Sequence, residues 1–94
     1  MTHDLKCWPE YFQLIVDKKK TFEIRKNDRG FEVGDILYLR EYDPITQLYT
    51  GRYETCRVLY VLQNYPAIQS GHVVMSIKVV NVAVLDIKNE TTIW

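Results

Sequence analysis

Lys20, Glu23 and Arg25 are the residues whose types and spacing best suit chemistry. They fall in the run Lys20-Thr21-Phe22-Glu23-Ile24-Arg25, where an ammonium, a carboxylate and a guanidinium lie within six positions. Period-two alternation groups Phe22 with Ile24 on one side of a strand and Thr21, Glu23 and Arg25 on the other, wet and charged side. Lys20 falls on the opposite side by strict alternation, but a small rotation at the strand start brings its long side chain into the same space. Such a group can hold a phosphate through its cations and accept a base amino or imino hydrogen through its carboxylate. The competing structural reading is a solvent-exposed ion-pair ladder worth about 0 to 1 kcal/mol.

Two elements must position this run. Pro9 suits the first turn of a helix, because its missing N–H is unpaired there in any case. Trp8, Tyr11, Phe12, Ile15 and Val16 then recur at helical spacing, which predicts one amphipathic helix over about residues 9 to 18. The remainder reads as strands separated by turn clusters. A short strand is expected at Leu5 to Trp8 and another at Lys20 to Arg25. Asn27-Asp28-Arg29-Gly30 and Val33-Gly34-Asp35 mark turns before a strand from Ile36 to Tyr42. Asp43-Pro44 and Thr50-Gly51 bracket a hairpin connection, and Arg52 to Leu62 reads as its second strand. Pro66 to Gly71 breaks the chain. His72 to Ile87 is too long for one ordinary strand and is divided near Asn81. The predicted order is β-α-β-β-β-β-β: mainly β with one amphipathic helix, in the α+β class. Closing so many short strands into a small barrel, with the helix over one mouth, would remove exposed edges.

Composition bounds the rest. The 94 residues suit one domain spanning 1–94, with 88–94 as a loosely held tail. Hydrophobic residues make up 47% and charged residues 26%, enough to form a core and wet a surface. Twelve basic residues balance twelve acidic ones, which argues against a non-specific DNA coat. The distribution is uneven, because Lys18, Lys19, Lys20, Arg25, Lys26 and Arg29 place half of the basic residues in twelve consecutive positions. Cys7 and Cys56 form no metal-type cluster, and His3 and His72 stand alone, so no metal site and no cofactor is expected. With no signal-type leader and no apolar run of about 18 residues, a cytoplasmic protein without a membrane span is expected. Oligomeric state is left open.

Lys18-Lys19-Lys20-Thr21-Phe22-Glu23-Ile24-Arg25 resembles the G-x-K-x-x-E-x-R signature of ASCH domains, members of the PUA-like superfamily. Lys20, Glu23 and Arg25 take the signature positions, while Lys18 stands where the signature has glycine. The wider chain is similar to an uncharacterised bacterial and phage family of small single-domain proteins. That likeness is carried by His3-Asp4-Leu5-Lys6, Pro9-Glu10-Tyr11-Phe12, Thr21 to Arg29 (TFEIRKNDR), Val33-Gly34-Asp35 and Tyr49-Thr50-Gly51-Arg52. The resemblance implies a PUA-like β-pseudobarrel with a cleft between the first helix and adjacent strands, a place for RNA or a modified nucleoside. Lys20, Arg25, Arg29 and Arg52 are then the candidates for phosphate, Glu23 for the base edge, and Tyr49 or Trp8 for stacking.

Two alternatives stand beside RNA or nucleoside binding. The chain also resembles small ASCH-type amidohydrolases that remove the acetyl group of N4-acetylcytidine, with Lys20 in the position of their catalytic lysine. Lys20 and Glu23 are the catalytic candidates in that case, although Glu23 occupies the place of the threonine those enzymes carry, and their second glutamate has no counterpart by motif. The other alternative is a protein-interaction module of phage type, presenting the tyrosine-rich hairpin around Tyr42, Leu48 and Tyr49.

Overall fold

The computed structural model describes residues 1–80. The expected division near Asn81 and the expected loose tail at 88–94 lie outside the described residues. Within them the chain runs β1 (Thr2–Cys7), α1 (Pro9–Val16), β2 (Phe22–Lys26), β3 (Ile36–Asp43), β4 (Leu48–Leu62) and β5 (His72–Val79). The five strands form one sheet in the order β1-β3-β4-β5-β2. β1 runs parallel to β3, and every other neighbouring pair is antiparallel.

Alternation explains most of the inward positions. In β1, His3, Leu5 and Cys7 are buried while Thr2, Asp4 and Lys6 face out. Leu37 and Leu39 of β3, Cys56 and Val58 of β4, and Val73, Met75 and Ile77 of β5 form the inner face. α1 lays Phe12 and Ile15 onto that face, each about 1% exposed. Complete burial of such side chains is worth about 1.5 to 3 kcal/mol apiece, so the helix is held by packing more than by its eight residues of intrinsic helicity.

The sheet curls into a half-barrel, a small α+β domain. Register shifts between Arg40 and Tyr42 and between Val58 and Tyr60 mark bulges, which bend and twist the strands that carry them. Among the described residues β1 and β2 are the edges and share no ladder. Two arginines bridge the gap instead. Arg25 Nη2 donates to the Lys6 carbonyl at 2.9 Å, and Arg29 Nη1 donates to the Asp4 carbonyl at 2.9 Å. Carbonyls two residues apart on an outer strand point the same way, so the two guanidinium groups cover the edge that would otherwise stay open.

Three sequence expectations are corrected. β1 is longer than the segment Leu5 to Trp8 and begins at Thr2. β4 begins at Leu48, so Thr50-Gly51 lies inside a strand; Gly51 takes φ +97, a value that glycine adopts without a Cβ penalty. In β2 the alternation is as read but the sides are exchanged: Glu23 is buried, while Phe22 and Ile24 are 42% and 58% exposed.

Candidate functional site

The helix end places the first member of the site. Asp17 caps α1, Lys18 follows at φ +61, and Lys18 and Lys19 return N–H bonds to the carbonyls of Ile15 and Leu14 at 3.0 and 2.9 Å. This is a Schellman closure, in which a left-handed residue reverses the chain after the helix. Lys18 thus occupies the left-handed position for which a glycine is the unstrained choice. The reversal delivers Lys20 to the start of β2 and directs its side chain over Glu23.

Glu23 lies at the floor, with its side chain only 4% exposed. Lys20 Nζ donates to Glu23 Oε1 at 2.5 Å and to the Phe22 carbonyl at 2.8 Å. Arg25 brings Nε and Nη2 within 2.8 Å of Glu23 Oε2. A carboxylate out of water is costly unless it is paired and hydrogen-bonded, and here both oxygens are satisfied by cations. The pairing is asymmetric in access: Lys20 and Arg25 side chains keep 16% and 25% of their exposure. One Lys20 N–H and the Arg25 Nη1 group have no partner among the described hydrogen bonds.

An open cleft of about 670 Å³ lies over these groups. Its walls are largely apolar. Trp8, Tyr11 and Leu14 follow one another at i, i+3 along one face of the helical segment, and Phe22 and Ile24 come from β2. All five are at least 39% exposed. Trp8 and Tyr11 lie nearly parallel, 21° apart with centroids 6.5 Å distant. The Lys20 ammonium sits 5.0 Å from the Phe22 ring centroid and 5.8 Å from that of Tyr11. Lys6 and Lys19 add positive charge at the rim.

Cys7 also borders the cleft but is no nucleophile. Burial, reinforced by the Glu23 charge, pushes its thiol up to about 11, and burial pushes Cys56 up to about 12. The thiolate is the reactive form, so both remain inert thiols near neutral pH. Among the described residues no group of three or more His, Cys, Asp or Glu is placed to hold a metal ion. Among the same residues no helix is long and apolar enough to cross a membrane.

Of the residues singled out from sequence, Lys20, Glu23, Arg25 and Trp8 come together here. The other three do not. Arg29 is spent on the β1 edge and approaches Asp28 at 4.0 Å. Arg52 donates through Nε to Glu41 Oε1 at 3.1 Å and through Nη2 to Gln13 Oε1 at 3.0 Å, tying the hairpin to α1. Tyr49 packs edge-on against Tyr42 at 5.1 Å and lies under the Arg40 guanidinium at 4.0 Å. Tyr11, Leu14, Phe22 and Ile24 were not expected in a site. The signal for the first two was present: Trp8, Tyr11 and Leu14 form a second apolar stripe beside the Phe12 and Ile15 stripe that enters the core.

Comparison with known proteins agrees with this picture at the level of family and fold. The model of the DUF3850 family, described as a domain of unknown function, matches residues 2–77, and the chain belongs to that family. An uncharacterized 12.9 kDa protein in the GpA 3' region of Escherichia phage P2 is 39% identical over 56 residues, covering 60% of this chain and 50% of the phage protein. The chain therefore matches half the length of that relative. The crystal structure of the hypothetical protein PH0355 has a TM-score of 0.58 to this chain at 19% identity, covering 85% of this chain and 100% of the other, a likeness of fold.

Proposed function

We propose that this DUF3850 domain binds a nucleotide or a single-stranded RNA, seating one base in the cleft above Lys20, Glu23 and Arg25. The observation that carries the reading is the combination of exposed aromatic walls with a buried, fully paired carboxylate at the floor. A flat ring gains stacking on Trp8 or Tyr11, roughly 1 to 3 kcal/mol for a base on an aromatic side chain. The Lys20 and Arg25 donors that lack a partner among the described hydrogen bonds meet carbonyl or phosphate oxygens, while Lys6 and Lys19 supply charge at the rim. The ASCH-type signature points the same way.

Calorimetric titration with the four ribonucleoside monophosphates tests this. Binding should weaken about 10-fold in Trp8→Ala, the equivalent of one lost stacking contact. Glu23→Gln, by loosening the Lys20 and Arg25 donors that the carboxylate orients, should reorder base preference more than it alters salt dependence. Affinity unchanged in both variants, or no binding of any nucleotide by the wild type at millimolar concentration, would overturn the reading.

The 2.5 Å contact between Lys20 Nζ and Glu23 Oε1 favours a second reading, hydrolysis of an N4-acetylcytidine-type amide. In that reaction water adds to the acetyl carbonyl, Glu23 takes the proton from water, Lys20 protonates the departing nitrogen, and acetate and cytidine leave. Cytidine release that disappears in Lys20→Ala supports it; intact substrate after prolonged incubation refutes it.

A further inference from the structure

The side of the sheet facing away from the core carries an unusual mixture. Paired residues in a ladder share a face, so the register places Asp4, Tyr38 and Thr55 in one row, Thr55 itself only 5% exposed, and Lys6, Arg40 and Tyr53 in the next. Past the Arg40/Tyr42 bulge, Tyr42 pairs with Tyr49. At the other end Arg57 pairs with Lys78 of β5. Four tyrosines therefore stand on two neighbouring strands. Tyr53, Tyr49 and Tyr38 are 62%, 42% and 36% exposed.

These rings are interleaved with cations. Arg40 lies 4.0 Å from the Tyr49 centroid, and Lys6 Nζ lies 4.4 Å from that of Tyr42. Tyr38 and Tyr53 meet edge to face at 6.3 Å. Among the described residues, Lys6, Arg40, Arg57 and Lys78 share these rows with a single acid, Asp4, itself exposed and 3.5 Å from Arg40. Because the chain as a whole is neutral, the excess is local to this face. Tyrosine and arginine also favour protein contacts, but four cations against one acid select a polyanion, and exposed rings on a strand surface select one with accessible base faces. Lys6 borders the cleft as well, so the face begins where the cleft ends.

We propose that the outer face of β1, β3 and β4 is a second binding surface, one that takes single-stranded nucleic acid by stacking bases on Tyr38, Tyr49 and Tyr53 and meeting phosphates with Lys6, Arg40 and Arg57. The surface stands on its own residues; only its continuity with the cleft rests on the nucleotide reading.

The test uses the full chain with a labelled oligouridylate of about 12 nucleotides, its deoxy counterpart, a duplex of equal length and the mononucleotide. The oligouridylate should bind at least about 10-fold more tightly than the mononucleotide and the duplex. With about three phosphates met, its affinity should fall about 18-fold between about 50 and 200 mM salt. Tyr53→Ala should weaken the oligomer about 10-fold and leave the mononucleotide unchanged, Tyr53→Phe should keep wild-type affinity, and Arg57→Glu should reduce both affinity and salt slope. The deoxy oligomer binding equally well supports recognition by stacking; it would be much weaker if the 2′-hydroxyl were read.

An oligomer held no more tightly than the mononucleotide overturns the proposal. So does a Tyr53→Ala variant with native melting and undiminished oligomer binding. Self-association abolished by Tyr53→Ala, without RNA affinity, would assign the face to protein contact instead. Loss of oligomer binding in Tyr53→Ala together with indifference of the mononucleotide to both Trp8→Ala and Glu23→Gln would sink the cleft reading and keep this one.

Discussion

Asp35 gathers three donors on one buried carboxylate. His3 Nε2 meets Oδ2 at 2.8 Å, the Glu32 N–H donates to the same oxygen at 3.0 Å, and the Met1 amino group meets Oδ1 at 3.1 Å. Burial alone would push the carboxyl up, but the His3 contact, the Glu32 N–H and the Met1 amino group outweigh it and hold it below its ordinary value of 3.8. A folded-state value below the unfolded one favours the native protein wherever the carboxylate is ionised. That contribution is fully present above the unfolded value and is lost as pH falls through the folded one. Wild type should therefore exceed Asp35→Asn in stability by about 1.5 to 3 kcal/mol near neutrality, the usual worth of hydrogen bonds to a charged group. The gap should shrink below about pH 4. Urea melts of both proteins between about pH 3 and 7 measure it, and a gap constant across that range would refute the assignment. Glu23 obeys the same logic of satisfied burial with cations as donors.

The helix end is where local sequence and element geometry disagree most openly. Lys18 holds φ +61 in the Schellman closure, a conformation costing a residue with a Cβ about 1 kcal/mol relative to glycine. Lys18→Gly should accordingly stabilise the domain by about 0.5 to 1 kcal/mol, raising the melting temperature by several degrees for a chain of this size. Calorimetric melting decides it; a lower transition would show that the lysine side chain contributes more than its backbone strain removes. This closure also explains why α1 ends at Val16, short of the helix expected to about residue 18. The strands beginning near residues 22, 36 and 72 were legible because turn residues and alternation are local signals. The facing of β2 was not, since alternation tells which residues share a side and never which side is inside. Glu23 can face inward because Lys20 and Arg25 neutralise it, a fact of long side chains that periodicity cannot encode. The parallel pairing of β1 with β3 and the pairing of β2 with β5 are non-local and left no trace in any window. Lys20, Glu23 and Arg25 could be grouped from their spacing, and Trp8 stood only as one of two stacking candidates that the resemblance implied, whereas Tyr11 and Phe22 joined them only once the helix was seen against β2.

On the scale of the whole molecule, the half-barrel is closed by side chains. Among the described residues no ladder joins β1 to β2, and the guanidinium groups of Arg25 and Arg29 reach the Lys6 and Asp4 carbonyls. Much of the family-like stretch Thr21 to Arg29 is thereby given to architecture: Asn27 Oδ1 accepts the Phe31 N–H at 3.1 Å, the Asn27 N–H donates to the Gly71 carbonyl at 2.8 Å, and Arg29 holds the edge. Arg25 alone serves both closure and cleft. Each bridge, being partly solvated, should be worth about 0.5 to 1.5 kcal/mol. The two are coupled through one strand, because either bridge alone keeps β1 near β2 and the loss of both frees the edge. In a double-mutant cycle, Arg25→Ala with Arg29→Ala should therefore cost more than the sum of the single changes by at least about 0.5 kcal/mol. Arg29→Ala alone should leave nucleotide affinity in the cleft unchanged, which separates closure from binding. Strict additivity in denaturant melts would mean that the edges are held by the core alone and that the arginine bridges are incidental to the fold.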